Sequence, residues 1–434
     1  MKKMTPISAF VNLILQLTDS LAKSQTVHFV FLILGFACDS SGHITGALLV
    51  VGEGFRHFSN HYRFLRESPW SVEMIFKALV RLLIRIFSPG EVVIAIDDTS
   101  VYKSGKNIFG TAFHHGHTNK PNRPKYFYGH VNVTASWLEH CPILNRLLSL
   151  PLGSKLYRRN SGVKKTALAW ELLEWVLDVV NVPVIAVVDC IYAKGDILRK
   201  CIAHAVTVVG GLQSNAVLYR QPPKKRKKGR GRPKKYGGRM KSLPKRARDK
   251  KKFRKIVIKA YGRKRKVFVY DFVGIWKPAG QMIKVVITWW PRAKKPTYFF
   301  CTDMRRSAKW ILERAADRWG IEQNFRELKE HGFGAHQCRA KNSVERAVNI
   351  SCWSYTLSWL VVREMTVAGQ KIPMFKPAWY PHKKRISYND IVRLLWGAVS
   401  VIDFSSVFRK LGKVLKNKDT NLTANSLDFV FKKY

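Results

Sequence analysis

The sequence predicts an α/β protein: a mixed sheet flanked by helices, preceded by a helical N-terminal region and interrupted by a β-rich, basic insertion. Three observations carry this. Two short apolar runs, Glu91–Ile96 and Pro183–Val188, have the near-continuous hydrophobicity of strands buried on both faces. Helical periodicity surrounds them. A stretch rich in lysine, arginine and β-forming residues separates the second run from the last helices.

The elements follow in order. Residues 1–85 read as mostly helical, with amphipathic stretches at Ile7–Leu21 and Val72–Ile86. Lys125–Trp137 has the β-branched and aromatic character of a strand. Lys164–Val180 is an amphipathic helix, and Val206–Gly210 a third, weaker buried strand. Lys255–Ala260, Lys266–Val273, Ile283–Trp290 and Thr297–Cys301 are β-rich pieces parted by Gly, Pro and Lys. Ala308–Glu330 and the strongly apolar Ser343–Val367 are helical. The chain therefore divides into a helical region (1–85), a first core part (86–215), a basic β-rich insertion (216–305), a second core part (306–367) and a C-terminal region (368–434).

Charge points to nucleic acid, with residues 1–85 and the basic insertion expected to bind DNA. The 434 residues carry 77 Lys+Arg against 28 Asp+Glu, a net +49. A compact body so charged repels itself unless it sits on a polyanion, and neutralised phosphates release counterions. At 46% hydrophobic residues the chain builds real cores and is not a disordered basic tail. From Arg220 to Lys266 there are 25 Lys+Arg and one acid, Asp249, with Pro and Gly interspersed, which predicts a flexible arm. Within it Gly229–Lys235 resembles an AT-hook, in which Arg230 and Arg232 would enter a narrow minor groove. A solvated linker touching phosphates without sequence preference is the plainer reading.

Several classes drop out. Seven unclustered cysteines read as reduced thiols, not a disulfide frame or zinc site. His114-His115-x-His117 lacks partners at structural-zinc spacing. No Gly-rich phosphate loop, secretion signal or membrane-spanning run is visible, so a cytoplasmic, nucleoid-associated protein with no membrane partner is expected.

Acids are scarce in so basic a chain, and their positions are informative. The first apolar run leads into Asp97-Asp98-Thr99 and the second into Asp189-Cys190. Ligands in α/β sheets gather at strand ends, although an aspartate there also caps turns. The third acid is Glu322, with Arg318, Phe325, Arg326 and Lys329 on its helix face at i−4, i+3, i+4 and i+7. Glu327 and Glu330 lie about 140° and about 80° away around the wheel. Three carboxylates from two strand ends and a helix suit Mg²⁺, which takes oxygen ligands. Two such ions roughly 3.5–4 Å apart stabilise the attacking and leaving oxygens of an in-line phosphoryl displacement.

Asp97-x-Thr99, Asp189 and Arg318-(3)-Glu322-(6)-Lys329 together resemble insertion-sequence DDE transposases with a Tyr-(2)-Arg-(3)-Glu-(6)-Lys signature; the tyrosine position holds Ala315. The resemblance spans roughly residues 90–365. It implies an RNase H-like core with a β-rich insertion, here within the 132 residues between Asp189 and Glu322. It implies catalysis by Asp97, Asp189 and Glu322 with two Mg²⁺ (or Mn²⁺), and DNA contacts from Arg318, Arg326 and Lys329. An insertion aromatic that stacks on a flipped base is also implied, with Trp276, Trp289 and Trp290 as candidates and packing of the inserted sheet as the plainer role for each. Residue period does not choose between Asp97 and Asp98; the family's Asp-x-Thr pattern selects Asp97, with Asp98 as fallback. The implied activity is cut-and-paste transposition: cleavage at terminal inverted repeats, then attack of the freed 3′-OH on target DNA, by a homodimer holding both ends. Two other classes stay open: a non-catalytic basic DNA-binding protein, and an RNase H-like structure-specific nuclease.

Overall fold

The structure is a computed structural model and describes residues 5–52, 58–116, 125–223 and 234–402. Five helices open the chain: α1 (Pro6–Leu15), α2 (Lys23–Cys38), α3 (Ile44–Val50), α4 (Ser59–Arg66) and α5 (Val72–Phe87). Thr5 caps α1 through a reciprocal bond with Ser8, and Ser71 caps α5. The single amphipathic stretch expected at Ile7–Leu21 ends earlier, at Leu15, and a second helix follows.

Next come β1 (Val92–Tyr102), β2 (Ala112–His115), β3 (Tyr126–Cys141), β4 (Arg146–Tyr157), α6 (Lys165–Leu177), β5 (Val184–Val188), α7 (Gly195–Ala203) and β6 (Thr207–Gly211). The insertion holds β7 (Leu218–Tyr219), α8 (Leu243–Ala247), β8 (Arg254–Ala260), β9 (Arg263–Trp276), β10 (Gln281–Trp289) and β11 (Thr297–Cys301). Four helices close the described chain: α9 (Ala308–Asp317), α10 (Trp319–Glu330), α11 (Lys341–Val367) and α12 (Tyr388–Val399).

The strands order as an RNase H-like core. β4, β3 and β1 are successively antiparallel, β1 is parallel to β5, and β5 is parallel to β6. Every residue of β5 is buried, as its apolar run requires. The insertion continues this same sheet: β11 pairs antiparallel with β6, β10 with β11, and β9 with β10, giving eleven strands among the described residues.

β4 was not expected from the sequence, because Pro151 and Gly153 interrupt it. The structure shows how they are accommodated. Pairing with β3 shifts between Ala135 and Ser136, so Leu152 bulges from the ladder. The backbone groups freed there are collected by α11. Trp353 Nε1 donates to Leu152 O at 2.7 Å, Thr356 Oγ1 to Pro151 O at 2.7 Å, and the Asn349 amide makes both bonds to the Ser154 backbone. A strand that contains proline thus remains in the sheet's buried wall, its backbone groups paired by side chains.

The N-terminal helices are part of the same body. α2 is apolar nearly all round and buries Phe29–Cys38; Ser354 of α11 donates to its Ile33 carbonyl at 3.0 Å. The loop before α3 crosses the loop after α10 back to back at Gly42 and Gly332, both with positive φ. A Cβ on Gly332 would lie 2.2 Å from Gly42 N, and one on Gly42 would lie 2.0 Å from Gly332 O. This crossing ties the N-terminal helices to the end of α10.

Gly332→Ala should therefore lower unfolding stability by at least about 2 kcal/mol, the sum of left-handed strain and a backbone clash. Denaturant titration reads this directly, and an unchanged midpoint would show that the crossing is loose.

Candidate active site

Parallel register brings the first two acids together. β1 pairs with β5 up to Ile96↔Val188, so Asp97 and Asp189 are the next residues on neighbouring strands. β5 ends there. β1 does not: it continues to Tyr102 on β3 alone, with Asp97 opposite Thr134. The expectation that Asp97 closes its strand is corrected. It stands at a fork, where one neighbour of β1 departs and opens the sheet to solvent. Each aspartate is tied to the backbone, Asp97 Oδ1 accepting from the Asp98 amide at 2.8 Å and Asp189 Oδ1 from the Cys190 amide at 2.6 Å.

Arg318 brings in the third acid. One helix was expected over Ala308–Glu330; the structure has two, α9 and α10, meeting at Arg318, where the Arg318 N to Arg314 O bond stretches to 3.4 Å. Gly320 seats α10 closely, since a Cβ there would come 3.2 Å from Leu147. From this junction Arg318 Nη1 donates to Asp97 Oδ2 at 2.9 Å and Nη2 to Glu322 Oε1 at 2.5 Å. Burial opposes the Arg318 charge, but Asp97, Glu322 and Asp189 outweigh it and raise its pKa. Burial holds the Asp97 carboxyl up at about 7; Arg318 counteracts this, while Asp98 and Asp189 reinforce it.

The acids therefore gather around a guanidinium. Among the described residues no three His, Cys, Asp or Glu side chains stand as a ready ion cage. The donor set nonetheless fits a hard divalent cation: it is all oxygen, and both aspartates are anchored by backbone amides.

Asp98 faces the other way, as strand alternation requires. Both its oxygens are engaged, by Lys165 Nζ at 2.8 Å and by the Tyr192 hydroxyl at 2.8 Å. Tyr192 is 1% exposed, its hydroxyl pKa driven up by burial and Asp98, and its amide bonds to Asp189 O. Asp98 thereby fastens the loop that carries Asp189. Neither Lys165 nor Tyr192 was singled out from the sequence; their link to Asp98 is purely spatial.

The rival acids of α10 lie elsewhere. Glu327 turns inward to the buried Tyr355 hydroxyl, and Glu330 is exposed. Arg326 and Lys329 are exposed on α10. Ala315 is half-buried against the core. Tyr261, at the β8–β9 turn, lies edge-on to Trp319 at 5.6 Å. Of the three tryptophans, Trp289 lines a cavity of about 820 Å³ that also contains Asp189, Arg248 and Lys295. Trp276 is buried against Phe300, and Trp290 bonds Thr297 and lies 6.1 Å from Tyr261. Arg230, Arg232 and His117 lie outside the described residues; His114 is buried. All seven cysteines are free.

Residues 17–271 match the family model of the DDE superfamily endonucleases. The chain belongs to this family. The matched segment of the DDE endonuclease contains Asp97 and Asp189 and stops short of α10, so Glu322 is placed by its contact with Arg318. The chain matches no curated protein. DNA is the substrate that an endonuclease of this family implies, and its superfamily generally uses divalent metals. No helix among the described residues is long and apolar enough to cross a membrane.

The state of Asp97 has a measurable consequence in the metal-free protein. Its native pKa of about 7 lies above the ordinary 3.8, so the unfolded chain releases a proton that the native chain keeps. Stability from this group falls as pH rises between 3.8 and about 7, then levels. In chelator, the Asp97→Asn unfolding midpoint should gain on wild type across that window and run parallel above it. A constant difference would show that Asp97 ionises normally.

Proposed function

We propose that this DDE endonuclease is a cut-and-paste transposase acting through Asp97, Asp189 and Glu322. The observation that carries the reading is the Arg318 bridge between Asp97 and Glu322, at the fork where Asp97 and Asp189 leave the parallel ladder. The three carboxylates would hold divalent metal, two Mg²⁺ or Mn²⁺. When bound, it would supply charge stabilisation at the attacking and leaving oxygens of the phosphodiester.

The chain's own residues do the rest. Arg318 neutralises the acids before substrate arrives and holds α10 against β1, fixing Glu322 beside the strand ends. Asp98, through Lys165 and Tyr192, fixes the Asp189 loop. Arg326 and Lys329 face outward from the same helix and take backbone phosphate. Trp289 offers an aromatic wall in the cavity that opens beside Asp189, where an extruded base would stack. The N-terminal helices (1–85), with the arm that carries Arg230 and Arg232, bind the terminal inverted repeats. The C-terminal region (368–434) supports pairing of two chains on two ends. Hydrolysis frees a 3′-OH, which attacks target DNA in the same site. A nucleoid location follows from these contacts.

Glu322→Gln should bind transposon-end DNA as wild type does and lose Mg²⁺-dependent nicking to background. Pre-nicked ends with a free 3′-OH should be joined to target DNA by wild type only. Nicking by the variant would remove Glu322 from the site, and cutting without joining by wild type would make the protein a nuclease instead.

A further inference from the structure

β1 carries more than Asp97. Six residues on, about 20 Å along an extended strand, it delivers Lys103 to a second concave site. The chain leaving β1 (Lys103–Ile108) and the link between α10 and α11 (Ala335–Arg339) enclose a cavity of about 280 Å³. Two bonds stitch the segments together: Lys103 Nζ donates to His336 O at 2.5 Å, and the Phe109 amide to Arg339 O at 2.9 Å.

The lining is strongly one-sided. Lys103, Lys106 and Arg339 contribute cations, Ser104, Asn107 and Gln337 contribute polar groups, and no carboxylate is among the lining residues. None of the three cations forms an ion pair among the described residues. The lining also includes His336, which is 0% exposed and has neither ring nitrogen hydrogen-bonded. Burial, with Lys103, His130 and His43 nearby, drives its pKa well down, so the ring is neutral and carries one free N–H. Burial likewise lowers Lys103 to about 8. Three cations outside any ion pair, with no acid in the lining, are chemistry for a phosphate oxyanion.

We propose that this cavity is a seat for one backbone phosphate of the bound DNA, about six nucleotides from the cleaved bond given a rise of roughly 3.4 Å per nucleotide. Lys106 and Arg339, both exposed, close on the phosphate from the rim. Lys103, held by the His336 carbonyl, meets it from within. The seat rests on the reading of Asp97, Asp189 and Glu322 as the cleavage site, because that reading sets the point from which the distance is counted. It does not need the transposition chemistry.

The test uses the full chain in chelator, with Glu322→Gln as reference, by fluorescence anisotropy on transposon-end DNA across a salt series. Adding K106Q and R339Q to that reference should reduce the slope of log affinity against log salt by about 0.9 for the lost phosphate contact. A scan placing one neutral methylphosphonate at a time, three to nine nucleotides from the cut, should find a position that weakens the reference protein but not the doubly substituted one. The same slope in both proteins, or no such position in the reference protein alone, overturns the seat while leaving the cleavage site intact. Failure of the reference protein to bind end DNA would instead overturn the functional reading. Inorganic phosphate provides the last arm: if it raises the reference melting temperature through Lys106 and Arg339 while the scan is blank, the cavity binds free phosphate and the DNA assignment is wrong.

Discussion

Three carboxylates cannot share a partly buried site without a countercharge, and most of this molecule is arranged around the one that Arg318 provides. The guanidinium spans Asp97 and Glu322 and feels Asp189. Like charges so placed repel, and burial compounds this, as the raised Asp97 shows. A planar, forked cation suits two carboxylates on different elements better than the point charge of a lysine. Arg318 sits where α9 and α10 meet, at the stretched Arg318 N to Arg314 O bond. The bridge also decides which of the acids on α10 belongs to the strand ends, because Glu327 is satisfied by Tyr355 and Glu330 is in solvent.

Holding that bridge requires a rigid floor. The floor is β4, whose bulge at Leu152 would leave buried backbone groups unpaired if α11 did not supply Trp353, Thr356 and Asn349. On the other side of the helix pair, the Gly42–Gly332 crossing fixes where α10 ends. The N-terminal helices are thus joined to the end of α10 by backbone contact. Asp98 performs the corresponding service under Asp189 through Lys165 and Tyr192.

Much of this was legible in the sequence, and the missing parts share a cause. The buried strands β1 and β5 announced themselves by apolar runs, and the i, i+4 spacing put Arg318 beside Glu322, although the break that divides Ala308–Glu330 into α9 and α10 left no mark in the pattern. β4 was hidden because Pro151 and Gly153 break a strand pattern, and only the partners on α11 make the break tolerable. The continuation of β1 past Asp97 was hidden because its residues turn polar where the sheet forks. Lys165 and Tyr192 belong to Asp98 by folding alone; no spacing in the chain relates them. The insertion was read correctly as β-rich, but the flexible arm expected over Arg220–Lys266 is corrected: its described residues 234–266 fold into α8, β8 and the start of β9. The attachment to the core sheet through β6 and β11 depends on long-range pairing that local patterns do not encode.

That attachment gives the insertion a second duty. β6 lies between β5 and β11, and its last residues include Gly210 and Gly211, which offer little side chain to shield a ladder. Were β11 absent, β6 would be a bare edge one strand from Asp189, open to pairing with any extended chain. The basic insertion is therefore also the cover of the core's exposed margin. Removing β11 would cost the core a covered edge as well as a strand.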